Sequence, residues 1–173
     1  MKNTAMQARL GDEILEFIDS RKSLMLSSNT KEGFPYASYA PFAVTPEQDG
    51  FYILISSIAV HANNLLANAI ASVLVIEDED TAEELFGRIR INYAVVAEPI
   101  PADSEDFNKG VDTLVARHGE RSRHLSELSD FYLFKLAPTA GRYIKGFGKA
   151  YTLAGGNLTA ESIDHLTVGH VKR

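Results

Sequence analysis

Cysteine is absent from all 173 residues. That excludes a disulfide framework, a thiolate metal site and a thiol nucleophile. No stretch approaches the roughly eighteen apolar residues of a membrane-spanning helix. The opening MKNTAMQARLGDEI carries no apolar core of the signal-peptide kind, so a cytoplasmic location is expected. Nucleophile elbows, phosphate-binding glycine loops, paired metal-binding histidines at helical spacing and dinucleotide-binding glycine patterns are all missing. Positive charge is also in deficit: 17 Lys and Arg stand against 23 Asp and Glu, a net charge of -6. Non-specific nucleic-acid binding and attraction to anionic membranes both draw on a cationic surplus, so neither is expected. A local basic patch for phosphate or carboxylate remains open. What is present suffices for one folded domain over residues 1–173: 45% of the residues are hydrophobic and charge is spread along the chain.

Periodicity then divides the chain. Met6, Leu10, Ile14, Phe17 and Ile18 recur at three- and four-residue spacing and predict an amphipathic helix over about 5–19. Residues 23–28 and 36–42 flank the turn-rich Asn29-Thr30-Lys31-Glu32-Gly33 and predict a β-hairpin. A second pair of strands follows at 51–56 and 71–77, separated by a short helix over 61–68. A helix capped by Thr81 is expected over 81–86, with Glu84 three residues on. Residues 88–97 alternate as a strand, with Ile89, Ile91, Tyr93 and Val95 on one face and Arg88, Arg90 and Asn92 on the other. Pro99 and Pro101 end it. Residues 104–118 form a helix stopped by Gly119, and the last strands are 131–136 and 142–151. Residues 159–173 close the chain as a short helix or loop. Six or seven strands in hairpin-like succession predict a mainly β (α+β) domain, a small antiparallel barrel with short flanking helices.

Several groups of residues have chemistry to offer. Ser56 and Ser57 at a strand end, followed by His61 in a helix, could make an anion cradle, but taken alone they read first as an ordinary helix cap. Arg88 and Arg90 on one strand face suit phosphate or propionate, or a solvated exterior with acidic partners. Asp130 opens a strand, where it caps a turn or orients a histidine ligand through the ring N–H. Gly146-Phe147-Gly148 reads as a β-bulge at a barrel corner. His170, after Gly169 and before Lys172 and Arg173, is either a solvated tail residue or an imidazole free to ligate iron.

Six segments together resemble a known family: 21–27, 39–42, 55–65 with Ser-Ser-x3-His-x2-Asn-Leu, 130–136, 145–150 and the closing Gly169-His170. The chain resembles the heme-utilisation split-barrel proteins of the HugZ/HutZ type, heme-degrading relatives of pyridoxamine 5′-phosphate oxidase. The resemblance runs from about Leu10 to the terminus. It implies a split β-barrel homodimer with heme at the interface, and reductive activation of O2 at the iron with electrons from an external reductant. By that similarity His170 is the iron ligand, Asp130 of the facing subunit hydrogen-bonds its imidazole, and Arg90 lies where oxygen binds. The flavin-dependent relatives hold the FMN phosphate with a Thr/Ser-Asn pair and a Lys. Here Ser56-Ser57 and His61 stand in those places, so FMN is expected to bind weakly or not at all. Two alternatives are an FMN-dependent oxidoreductase using Ser56, Ser57, His61 and Arg88, and a non-enzymatic heme carrier. Dimerisation is further expected from Tyr39, Phe42, Ile53 and Ile55, on strands too apolar for two wet faces.

Overall fold

A computed structural model of the chain describes residues 4–159 and 162–166. Helix α1 (Thr4–Asp19) buries Leu10, Ile14 and Ile18 on one face, as its spacing requires. The hairpin of β1 (Ser23–Asn29) and β2 (Pro35–Pro41) is pinned by Thr30: its amide and carbonyl bond Phe34 and Gly33, and its Oγ accepts from the Phe34 amide. Gly33 takes φ +84° there, a conformation glycine adopts without a Cβ penalty. The sheet continues with β3 (Ala43–Val44), β4 (Phe51–Ser56), β5 (Ile70–Ile76), β6 (Arg90–Ile100), β7 (Phe131–Gly146), β8 (Lys149–Ala154) and β9 (Ser162–His165). Helix α2 (Val60–Ala67) follows β4, while α3 (Glu105–His118) and α4 (Arg121–Ser126) lie between β6 and β7.

All nine strands form one antiparallel sheet in the order β2-β1-β5-β6-β7-β4-β3, with β8 and β9 continuing from β7. The path is not closed. β2 packs back against β4 without a ladder, the open seam of a split barrel. Nine strands exceed the six or seven expected because β3 and β9 are too short to show a period. Residues 51–56 and 71–77 are not partners either: β4 pairs with β7, and β5 with β1 and β6. The expected strands at 131–136 and 142–151 redistribute into β7 and β8, meeting at a hairpin. β7 survives Pro138 because the β6–β7 register shifts opposite Ala94/Val95, at the one point where a missing N–H is tolerated. Gly146-Phe147-Gly148 is the turn into β8, with Gly148 at φ +74° and a register irregularity beside it. Residues 81–86 form no α-helix. Two 3₁₀ turns, Glu79–Thr81 and Leu85–Gly87, stand there instead, and the Glu84 carboxylate accepts from the Phe86 amide.

Inside the barrel sit Leu24, Leu26, Val73, Ile91, Tyr93 and Phe134, each essentially solvent-free. A smaller apolar cluster, Phe107, Val111 and Leu114 with Tyr52 and Leu133, seats α3 outside it. Ser104 caps α3 by accepting from the Phe107 amide (3.1 Å), and Gly119 terminates it at φ +86°. A buried Leu, Ile or Phe contributes about 1.5–3 kcal/mol, against at most about 1 kcal/mol for an exposed ion pair. The inward row therefore sets the fold. Phe42, Ile53 and Ile55 are spent in this core, so of the residues expected to drive dimerisation only Tyr39, 63% exposed, faces outward.

Gly50 packs its Cα against the β7 backbone, where an added Cβ would collide with the Leu136 carbonyl oxygen. Gly50→Ala should therefore lower the urea midpoint by the equivalent of about 1–3 kcal/mol, the cost of overpacking. At Glu13, burial alone would raise the carboxyl, but hydrogen bonds from Lys145 (2.6 Å) and Tyr143 (2.7 Å) hold it below its ordinary range. A carboxyl depressed in the folded state stabilises above its unfolded pKa, and that contribution disappears as pH falls through the folded one. Glu13→Gln should cost under about 1 kcal/mol at pH 7, given the pair's partial exposure. Denaturation curves of wild type and variant should converge below about pH 4.

Candidate functional site

The two groups of candidate residues lie at opposite ends of β7. Ser56, the last residue of β4, pairs with Phe131, so strand adjacency brings Ser56 beside Asp130. The Ser56 hydroxyl donates to Asp130 Oδ2 (2.5 Å), and the Ser57 amide donates to the Asp130 carbonyl (2.7 Å). Ser56 Oγ also accepts from the Ile58 amide (3.1 Å). Asp130 Oδ1 has no hydrogen-bond partner among the described residues. Ile58 and Val60 follow Ser56 in the chain, Leu128 and Tyr132 flank Asp130, and all four are exposed, Ile58 by 86%. A half-buried carboxylate thus lies between two segments that carry exposed apolar side chains.

The serines do not cap α2 through their side chains. Ala59 is its N-cap, and the Asn63 amide reaches back to the Ser57 carbonyl (2.7 Å). His61 turns toward β2, with Nδ1 3.0 Å from Ser38 Oγ, and burial lowers its pKa, so the ring is neutral at pH 7. Asn64 is buried and donates to Ser28 Oγ (3.0 Å). Ser56, Ser57 and His61 are therefore neighbours without converging as anion donors: one hydroxyl is committed to a carboxylate and the imidazole carries no charge.

Arg88 and Arg90 lie at the other end. β6 begins at Arg90, two residues later than expected, and Arg88 precedes it. Arg88 donates through Nε to the Glu77 carbonyl (3.1 Å), through Nη2 to the same oxygen, and through Nη1 to Glu79 (3.2 Å). It clamps the acidic 77–80 loop and lines an open cavity of ≈ 300 Å³ with Arg21, Lys22 and Asp78. Arg90 is held by one hydrogen bond, Nη1 to the Arg88 carbonyl (2.8 Å), and by no ion pair among the described residues. Exposed Leu85, Phe86 and Phe147 gather beside this end, where a Cβ on Gly87 would meet the Phe147 amide at 2.8 Å.

The last strand among the described residues, β9, ends here too. The Leu166 amide donates to the Ala150 carbonyl (2.9 Å), Ala150 pairs with Ile144, and Ile144 with Arg90. Three strand spacings, about 14 Å, separate Leu166 from Arg90. Asp130 is fourteen residues from Ile144 along the chain, on the order of 40 Å of extended strand. His170 lies outside the described residues. Within one protomer, then, Arg88, Arg90 and the start of the tail share one end, while Asp130, Ser56 and Ser57 share the other. Sequence reasoning singled out Ser56 and Asp130 separately and missed their bond. It also missed the engagement of Arg88 by the 77–80 loop, which the adjacent acidic run could have signalled. Among the described residues no group of three or more His, Asp or Glu side chains could hold a bare metal ion, and no helix is long and apolar enough to cross a membrane.

Comparison with known proteins places this architecture. Residues 10–145 match the family model described as pyridoxamine 5′-phosphate oxidase. The chain is 42% identical to heme oxygenase HutZ of Vibrio cholerae over 99% of its own length and 96% of that protein's. A crystal structure of Vibrio cholerae HutZ, described as a heme storage protein, superposes with a TM-score of 0.70 at 43% identity, covering 75% of this chain and 89% of that one. Campylobacter jejuni ChuZ superposes with a TM-score of 0.80 at 31% identity, covering 92% of this chain and 63% of ChuZ. An open nine-stranded antiparallel sheet, matched over most of its length by sequence and by shape, makes this chain a member of the pyridoxamine 5′-phosphate oxidase family, in the group that includes HutZ.

Proposed function

We propose that the protein binds heme between the two subunits of a homodimer and degrades it, using O2 and electrons from an external reductant. The observation that carries this reading is 42% identity, over 99% of the chain, to a protein named as a heme oxygenase. The geometry supports it in two ways. Asp130 offers one carboxylate oxygen uncommitted among the described residues, and Arg90 offers a guanidinium engaged by a single bond. Neither end of the protomer holds both. Pairing two antiparallel copies about a two-fold axis brings one end of each against the other end of its partner, and such an isologous contact closes on itself. Exposed apolar side chains flank both ends, and the outward row Tyr39–Met25–Leu74 crosses β2, β1 and β5.

In this arrangement His170 ligates the iron. The partner's Asp130 accepts the N–H of the same imidazole, which fixes the ring and raises its basicity. Arg90 would stand beside the bound heme, where a guanidinium can stabilise developing negative charge without binding metal, and Arg88 holds the neighbouring loop in place. Bound heme supplies the iron that activates O2 and is itself the molecule consumed; the chain supplies position and field. A second reading, binding without turnover, is favoured by the description of one HutZ structure as a storage protein. Loss of the heme absorbance after a reductant such as ascorbate is added separates the two.

His170→Ala should abolish the histidine-ligated heme spectrum in a hemin titration, while far-UV circular dichroism and the dimer mass by light scattering stay unchanged. An unaltered Soret band after removal of residues 169–173 would place the ligand elsewhere. FMN, in contrast, should not survive gel filtration with the protein. Its phosphate would approach a cradle whose serine is 2.5 Å from a carboxylate oxygen and whose histidine is neutral. Like unit charges about 5 Å apart repel by about 3 kcal/mol at an effective dielectric near 20, more than the roughly 0.3–1 kcal/mol a helix N-terminus returns. Stoichiometric yellow flavin in the eluted protein would overturn this.

A further inference from the structure

We infer that Ser56 is a positioning residue: its hydroxyl locks one oxygen of Asp130 and so aims the other at the imidazole of the iron ligand. The inference rests on the reading of Asp130 given above and adds a residue to it. Ser56 and Asp130 are separated by 74 positions in sequence, yet one hydrogen bond joins them directly and a second ties Asp130 to the adjacent Ser57. The backbone bond from the Ser57 amide (2.7 Å) sets the Cα of Asp130, and the side-chain bond (2.5 Å) sets its carboxylate. A serine hydroxyl has one proton. Its oxygen accepts from the Ile58 amide (3.1 Å), so the proton is directed at Oδ2, and the distance is that of a charge-assisted bond.

This bond has no substitute among the described residues. No Lys, Arg or His pairs with Asp130, and its Oδ1 is unengaged. No side chain among the described residues donates to Oδ1, and the only side-chain bond to the carboxylate is that of Ser56. The terminal torsion of an aspartate is broad and two-fold, so without Ser56 the carboxylate would turn freely about its last bond. A carboxylate spread over several orientations accepts an imidazole N–H less well than one held in place. The phosphate-cradle role that Ser56 suggests by its place in sequence is therefore replaced by a role on a carboxylate.

Two effects of the hydroxyl oppose each other, and they can be separated. Positioning strengthens the bond from imidazole to Asp130; withdrawal of charge from the carboxylate weakens it. If positioning governs, Ser56→Ala changes the ligand as Asp130→Asn does, in the same direction and to a smaller extent. The experiment uses the full-length protein with added hemin, reduced with dithionite, and reads the iron–histidine stretching frequency by resonance Raman. Hemin affinity is titrated alongside. Expected are a same-direction shift for S56A, a loss of affinity below about tenfold, at the low end of losses typical for groups behind a metal ligand, and restoration of both by Ser56→Thr, which keeps the hydroxyl. An unshifted frequency in S56A, or a shift opposite to that of D130N, overturns the inference while leaving the Asp130 assignment standing. A D130N protein indistinguishable from wild type removes that assignment and the role of Ser56 with it.

Discussion

β7 is the constraint on which the rest of the molecule depends. Sixteen residues run without a break from Phe131 to Gly146, and the strand hydrogen-bonds in turn to β4, β6 and β8. One proline and one glycine lie in its interior. Pro138 falls where the register with β6 slips, and Gly141 leaves room for the Tyr93 ring, which an added Cβ would meet at 2.8 Å. Tyr93 in turn donates to the Leu158 carbonyl (2.6 Å), tying the segment after β8 into the core. Interrupting β7 would detach the α3 side of the molecule from the β8–β9 side. Its length also separates the Asp130 carboxylate at one end from the Arg90 guanidinium at the other.

Local order was legible in the sequence wherever the signal is local. The helical spacing of Leu10, Ile14 and Ile18, the turn 29–33, the alternation of Ile91, Tyr93 and Val95, and the stop at Gly119 all appear as read. Partnership between distant strands was not. Residues 51–56 and 71–77 have the same apolar content, and nothing in either says that one pairs with β7 and the other with β1 and β6. The bond from Ser56 to Asp130 was hidden for the same reason, since it exists only because β4 and β7 are neighbours. Ser56 and Ser57 are indistinguishable as sequence. The strand pleat sends one hydroxyl to a carboxylate and leaves the other without a hydrogen-bond partner among the described residues.

Charge shows a comparable contrast between two arginines two residues apart. Arg88 is fastened by the carbonyl of Glu77 and the carboxylate of Glu79, and it helps shape the loop that carries Leu85 and Phe86. Arg90 has one backbone acceptor and no carboxylate partner among the described residues. Residue type gives both the same affinity for an anionic group, and only the acidic run at 77–80 separates them. Arg117 shows the structural use of the same side chain. It spans from Asp19 and the Arg21 carbonyl to the face of Phe42, with a buried Nε unpartnered. It joins α3 to the entry of β1.

Family membership fixes the scaffold and leaves its use open, so the use has to be argued from the sign and placement of a few groups. A flavin phosphate requires positive charge where this chain has a neutral imidazole and a serine committed to a carboxylate. In the proposed site an imidazole-held porphyrin would gain from an acceptor behind the ligand and a cation facing it, and the two ends of this protomer carry one such group each. If the proposed roles hold, the length of β7 between the two groups leaves a monomer with two half-sites and gives a symmetric pair two whole ones. The apolar side chains exposed at both ends gain by the same contact that completes the sites. On this reading burial of hydrophobic surface and assembly of the site are one event, and a substitution that weakens the interface weakens ligand binding without touching the ligand.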